Sequence, residues 1–131
     1  MAPKGYFDKK GKVSLWVCLR KPNLPAERDT DILKTWCGVK YYNLDDQELS
    51  GVNDSFPLAK VADLLKPISY SSSFTAAAMK AAEAKKLTQA YWVLAQFDFA
   101  YDPKKTVGKV AKDPTFLGVF DWNDRDDDNE R

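Results

Sequence analysis

Residues 90–101 read AYWVLAQFDFAY, and the reading of this stretch decides the fold class. Tyr91, Val93, Ala95, Phe97, Phe99 and Tyr101 alternate with Trp92, Leu94, Gln96 and Asp98. Successive side chains of a strand point to opposite faces, so this period of two predicts a strand. Between Tyr91 and Leu94 both sets are apolar, which requires cover on both faces of the sheet. Lys12 to Leu19 repeats the pattern, with Val13, Leu15, Val17 and Leu19 set against Ser14, Trp16 and Cys18. A third strand is predicted from Thr115 to about Trp122, after a loop bounded by two Asp-Pro pairs and carrying Lys104, Lys105, Lys109 and Lys112. The two C-terminal strands are expected to pair as an antiparallel hairpin with this basic loop as its long tip.

Helices fill the space between. Pro22 and Pro25 break the chain after the first strand; Asp29 or Thr30 then caps a short helix carrying Ile32, Leu33 and Trp36, and Gly38 stops it. Between Val39 and Phe56 the pattern weakens to one short strand. Leu58, Val61, Leu64 and Leu65 share one face of a helix from about Leu58 to Lys66, with Pro57 at its start and Pro67 at its end. The run Ser-Tyr-Ser-Ser-Ser-Phe at 69–74 opens an alanine-rich helix from about Ser73 to Lys86, its hydroxyls expected to cap free N–H groups. Phe74, Ala77, Ala78, Ala81 and Ala84 form its narrow stripe, which lets the helix approach the sheet closely. The fold class is therefore α+β, a single domain in which a mixed, mainly antiparallel sheet packs against helices.

The chain has 131 residues, which suits one core and not two. Residues 1–11 read as a loose arm anchored at Tyr6 and Phe7, 12–122 as the domain and 123–131 as an acidic, solvated tail. From Asp121 to Arg131 the net charge is −4, leaving +5 on residues 1–120 of a chain whose total is +1. No apolar run approaches the roughly 18 residues that cross a bilayer, and Met1 to Lys12 lacks the apolar stretch of a secretory signal. A cytoplasmic protein with reduced thiols is expected, without a Cys18–Cys37 disulfide.

The chain contains no histidine, the side chain whose unperturbed pKa lies nearest neutrality. Ser-His-Asp and Cys-His sites are thereby excluded, and two cysteines are too few for a four-thiolate zinc site. The serines at 69 and 71–73 have no lysine at Ser-x-x-Lys spacing, so helix capping accounts for them better than nucleophilic catalysis does. No glycine opens that helix start as a phosphate cradle. Asp45, Asp46, Glu48 and Asp54 do not match the ligand spacing of an EF-hand loop, and they read as a solvated or partner-facing acidic surface. Asp98 and Asp121, at the ends of the two long C-terminal strands, are expected to make turn and cap hydrogen bonds. Of the four tryptophans, Trp16, Trp36 and Trp92 read as core, whereas Trp122, beside the acidic tail, reads as an exposed anchor. No catalytic residue, metal site or cofactor is expected.

The order Lys-Val-Ser-Leu-Trp-Val (12–17), Ser-Tyr-Ser-Ser-Ser-Phe (69–74) opening an alanine-rich helix, Phe-Asp-Phe-Ala-Tyr (97–101) and Phe-Leu-Gly-Val-Phe-Asp (116–121) resembles the immunity protein 22 family of bacterial polymorphic toxin systems. The resemblance spans nearly the whole chain and rests on the order and spacing of motifs that are each weak alone. It departs from the family at Trp122, in the lysine-bearing loop from Lys104 to Lys112 and in the acidic end, where partner specificity is expected. The resemblance implies an α+β protein that binds the C-terminal domain of a cognate toxin, often a nuclease in such systems, and blocks it, with no membrane and no direct nucleic-acid partner. No site residue transfers by motif. From charge alone the toxin-binding candidates are Asp45, Asp46, Glu48, Asp54 and Trp122. Two other classes compete with this reading: a small carboxylate-dependent enzyme, and a nucleic-acid-binding adaptor that uses the basic loop at 104–112.

Overall fold

The computed structural model describes residues 4–21, 31–51 and 58–123. The alternation read from Lys12 onward belongs to a longer strand, β1 (Asp8–Cys18), which ends before the exposed Leu19. The other strands of the main sheet are β2 (Gln47–Ser50), β5 (Trp92–Phe99) and β6 (Thr115–Asp121), in the order β2-β5-β1-β6 with every neighbour antiparallel. A two-residue pair, β3 (Ala59–Lys60) with β4 (Gln89–Ala90), stands apart. The expected hairpin between the two C-terminal strands does not form, because β1 lies between them. The six residues from Val13 to Cys18 are all fully buried, and a strand that is buried on both faces belongs in the interior of a sheet. β5 and β6 are thus parallel to each other, and the connection from Ala100 to Pro114 must run from the Asp8 end of β1 to its Cys18 end. It is tied down on the way by Val107 N–H to Gly38 O (2.8 Å), Ala111 N–H to Trp36 O (2.8 Å) and Gly5 N–H to Lys105 O (2.8 Å).

Among the described residues, three α-helices cover the sheet. The shortest, α1 (Ile32–Trp36), is capped by Asp31, whose carboxylate accepts the Lys34 N–H at 3.3 Å. The caps expected at Asp29 or Thr30 lie outside the described residues, as do Pro22, Pro25, Asp54 and Pro57. Gly38 ends this segment at φ +70°, where an added Cβ would meet Thr106 Cβ at 2.6 Å. The helix expected from Leu58 begins later, as α2 (Val61–Leu65), because the backbone before it is extended and paired with β4, and Val61 N–H bonds Thr88 O at 2.9 Å.

The alanine-rich helix is α3 (Thr75–Ala84), preceded by a 3₁₀ turn over Ser71–Ser73. That turn meets the N–H groups of Ser73 and Phe74 with the carbonyls of Tyr70 and Ser71, each at 3.0 Å. Hydroxyl capping is consequently not observed. Ser73 and Thr75 instead donate to the carbonyls of Tyr70 and Ser71, both at 2.7 Å. The buried stripe runs through Phe74, Ala78 and Ala82, at spacings of four, with Ala81 packed beside it, and it leaves the expected Ala77 and Ala84 exposed.

One core lies between α2, α3 and the sheet face carrying Val13, Leu15, Val17, Val93, Ala95 and Phe97. The opposite face carries Trp16, Cys18, Trp92 and Leu94 under α1, Cys37 and Val39. Phe99 and Tyr101 join this second core, although strict alternation assigns them to the same face as Phe97. Asp98 makes the exchange: at φ +54° it turns the strand, and the register shifts so that Val13 faces Phe97 while Asp8 faces Phe99. Ser14 seals the irregularity, its hydroxyl donating to Phe99 O (2.8 Å) and accepting the Tyr101 N–H (3.0 Å). Phe7 then packs edge-on against Phe99, with ring centroids 5.5 Å apart.

Candidate functional site

The bulge at Asp98 opens a groove of about 330 Å³ between the start of β1 and the turn that precedes β2. Gln96 and Phe97 line it from β5, and Asp8, Asn43, Asp46 and Asp98 supply its polar wall, with Lys9 and Lys10 on the β1 side. Asp98 is held in place by its bond from the Gly11 N–H, which its carboxylate accepts at 2.9 Å.

The turn is a 3₁₀ segment, Leu44–Asp46. Asn43 organises it, because its side chain accepts the Asp45 N–H at 3.0 Å while its carbonyl accepts the Asp46 N–H at 3.0 Å. The same carbonyl takes a second bond at 2.8 Å from Nε2 of the buried Gln96. The side chain that reads in the sequence as the polar member of a strand face thus fastens an acidic turn to the sheet.

Three carboxylates act on a fourth. Burial raises the pKa of the Asp46 carboxyl above the ordinary value, and the negative charges of Asp98, Asp45 and Asp8 raise it further. Asp8, Asp45 and Asp46 make no ion pair among the described residues. An arrangement of this kind favours an incoming cation, which would relieve the repulsion and lower the cost of ionising Asp46. Among the described residues no three acidic or thiol side chains are placed as a metal-ligand set.

The structure gathers some of the candidate residues and separates others. Asp46 lines the groove, and Asp45 precedes it in the same 3₁₀ turn. Glu48 belongs to the opposite face of the sheet, where its carboxylate accepts the Ser69 N–H at 2.9 Å. Asp54 lies outside the described residues. Trp122 is half-buried, with its ring stacked on Tyr70 at 5.0 Å and edge-on to Phe97 at 5.2 Å, and its indole N–H has no acceptor among the described residues. It borders a second hollow of about 230 Å³ that shares Lys10 and Asp98 with the groove, so Trp122 and the acidic turn adjoin one surface.

Asp98 and Asp121 do not sit on paired strands. Asp121 contacts Lys12 Nζ from β6, while Asp98 holds the adjacent Gly11 from β5. Sequence reasoning missed Asp8, which carries no local signal because only the pairing of β1 with β5 brings it to the groove. It missed the neighbouring aromatic pair for the same reason: Tyr6 and Tyr41 form an isolated bridge, with ring centroids 6.1 Å apart, and both are exposed. Lys104, Lys105, Lys109 and Lys112 are exposed on the crossing connection. Cys18 and Cys37 are buried free thiols.

No described helix is long and apolar enough to cross a membrane. No curated protein and no solved structure matches the chain. The family described as Immunity protein 22 matches residues 31–123, from the Asp31 cap through the acidic turn, both helical layers and β6 to the end of the Trp122 hollow. A match over more than half of the chain, in which β2, β5 and β6 and all three helices fall, settles the kinship: the chain belongs to the Immunity protein 22 family.

Proposed function

We propose that this protein neutralises a cognate bacterial toxin domain, a nuclease, by binding it one to one and covering its substrate cleft, without turnover of its own. The observation that carries the reading is the outward-facing carboxylate group at the Asp98 bulge, within a family of immunity proteins. Nuclease clefts are basic because they hold phosphates, and carboxylates presented to such a cleft both steer encounter and occupy the phosphate path. The rest of residues 1–120 carries an excess of positive charge, so the acidic turn is a local feature and not a product of overall composition. Asp45 and Asp46 are the principal contacts in this reading, with Asp8 beside them and Trp122 at the margin. Glu48 and Asp54 are secondary.

Titration calorimetry with the toxin domain encoded beside this gene tests the reading. Reversing Asp45 and Asp46 together to lysine is expected to weaken binding by roughly 2–5 kcal/mol if a carboxylate is buried against a cation. Removing residues 124–131 is expected to cost under about 1 kcal/mol, as for screened rim charges. An unchanged affinity for the double reversal, or a larger loss on tail removal, would move the interface elsewhere, with the basic loop at 104–112 the next surface to test.

A further inference from the structure

The two outer strands of the main sheet are finished differently. At β6 the register slips between Leu15 and Trp16, which sets Leu117 out of the ladder. Lys85, just past the end of α3, donates through Nζ to the carbonyls of Leu117 (2.9 Å) and Phe116 (3.4 Å). A bulge and a lysine are the devices by which a sheet edge is kept from pairing with a foreign strand. The β2 strand has neither. Gln47, Glu48, Leu49 and Ser50 face Gln96, Ala95, Leu94 and Val93 in unbroken register; the Gln47 N–H closes the preceding 3₁₀ turn on Leu44 O, and no hydrogen bond among the described residues reaches the backbone of Glu48, Leu49 or Ser50 from the side away from β5. Alternate residues of an antiparallel strand turn both N–H and C=O to the same side, so the rest of this strand presents unpaired groups outward.

The edge is also apolar and acidic. Leu44 is 64% exposed and Leu49 40%. Asp45, Asp46 and Glu48 are the charged residues of the stretch from Asn43 to Gly51, which has no lysine or arginine. We infer that β2 is an acceptor edge, to which an extended segment of the cognate toxin domain bearing lysine or arginine adds as a fifth strand. Main-chain bonds supply the pairing, and the acidic residues select a basic strand. A second copy of this chain is the poorer occupant, because two β2 edges set side by side would bring the same three acids against each other. The inference rests on the immunity reading and specifies how that partner is held.

Amide hydrogen exchange on the full chain tests it, with and without the C-terminal domain of the protein encoded immediately upstream, complex formation being followed separately by calorimetry. The expected result is slowing by about tenfold or more at the outward-facing amides within Glu48–Ser50 on complex formation, with no change along Thr115–Asp121. A complex in which the β2 amides exchange as before overturns the acceptor edge and leaves the immunity reading standing. The absence of any complex overturns both. Protection of the same amides in the free protein, rising with its concentration, gives the edge to a second copy and also overturns the inference.

Discussion

Replacing Asp98 with alanine tests the residue on which the site is built. Two favourable terms are lost. The carboxylate accepts the Gly11 N–H at 2.9 Å in a half-buried position, and a hydrogen bond to a charged group contributes about 1.5–3 kcal/mol. The backbone stands at φ +54°, a region that aspartate and asparagine tolerate and that costs alanine about 1 kcal/mol. One term opposes these: removing the charge relieves Asp46, an offset of under about 1 kcal/mol for a screened surface pair. The net expectation for Asp98→Ala is a loss of about 2–3 kcal/mol in urea unfolding followed by tryptophan fluorescence, with an unchanged denaturant slope. Asp98→Asn keeps an acceptor and tolerates the backbone, so it should lie within about 1 kcal/mol of the parent. If alanine and asparagine prove equal, or alanine costs under about 0.5 kcal/mol, the exchange of faces is held by the packing of Phe99 and Tyr101 and not by Asp98.

Ser14→Ala should cost about 1–3 kcal/mol by the same unfolding assay, since it leaves the buried Tyr101 N–H without its acceptor. Asp46, with its pKa raised in the folded state, contributes stability that is present below its unfolded pKa and lost as pH rises through the folded value. A cation bound beside Asp46 favours its ionised form, so toxin affinity should fall as pH drops through the carboxylate range; pH-dependent calorimetry should show this slope in the parent and a weaker one in Asp46→Asn. Burial pushes the Cys37 thiol up to about 12 and raises Cys18 as well, helped there by the Asp113 carboxylate. Both should resist iodoacetamide at neutral pH in the folded protein and react in urea, as read by mass spectrometry.

The strands over 12–18, 92–99 and 115–121 were legible in the sequence because burial on a strand imposes a period of two on local neighbours. Their order was not. Nothing in the period of Thr115–Asp121 says whether its partner is β5 or β1, and the usual preference for neighbours in sequence pointed to the wrong one. The switch of faces after Phe97 was hidden by a single left-handed residue, Asp98, which the alternation of polar and apolar letters cannot register. Alanine carries too little side chain to fix the rotation of α3, so Ala82 and not Ala84 meets the core. Asp45 and Asp46 were legible as acids in a weakly patterned segment. Their company with Asp8 and Asp98 depends on pairing across the sheet and was not.

The position of β1 also governs when the protein becomes competent. Val13 pairs with Phe97 on one side and Phe120 on the other, so the strand at the heart of the sheet is synthesised first and acquires its neighbours last. At about 5–20 residues per second, several seconds of translation pass before β5 exists to receive it, and further time before β6 closes its other edge. Through that interval the apolar run from Leu15 to Cys18 has no ladder to join, and sequence-distant pairing of this sort also slows the final folding step. A chain stalled before β6 should therefore leave β1 open along one edge.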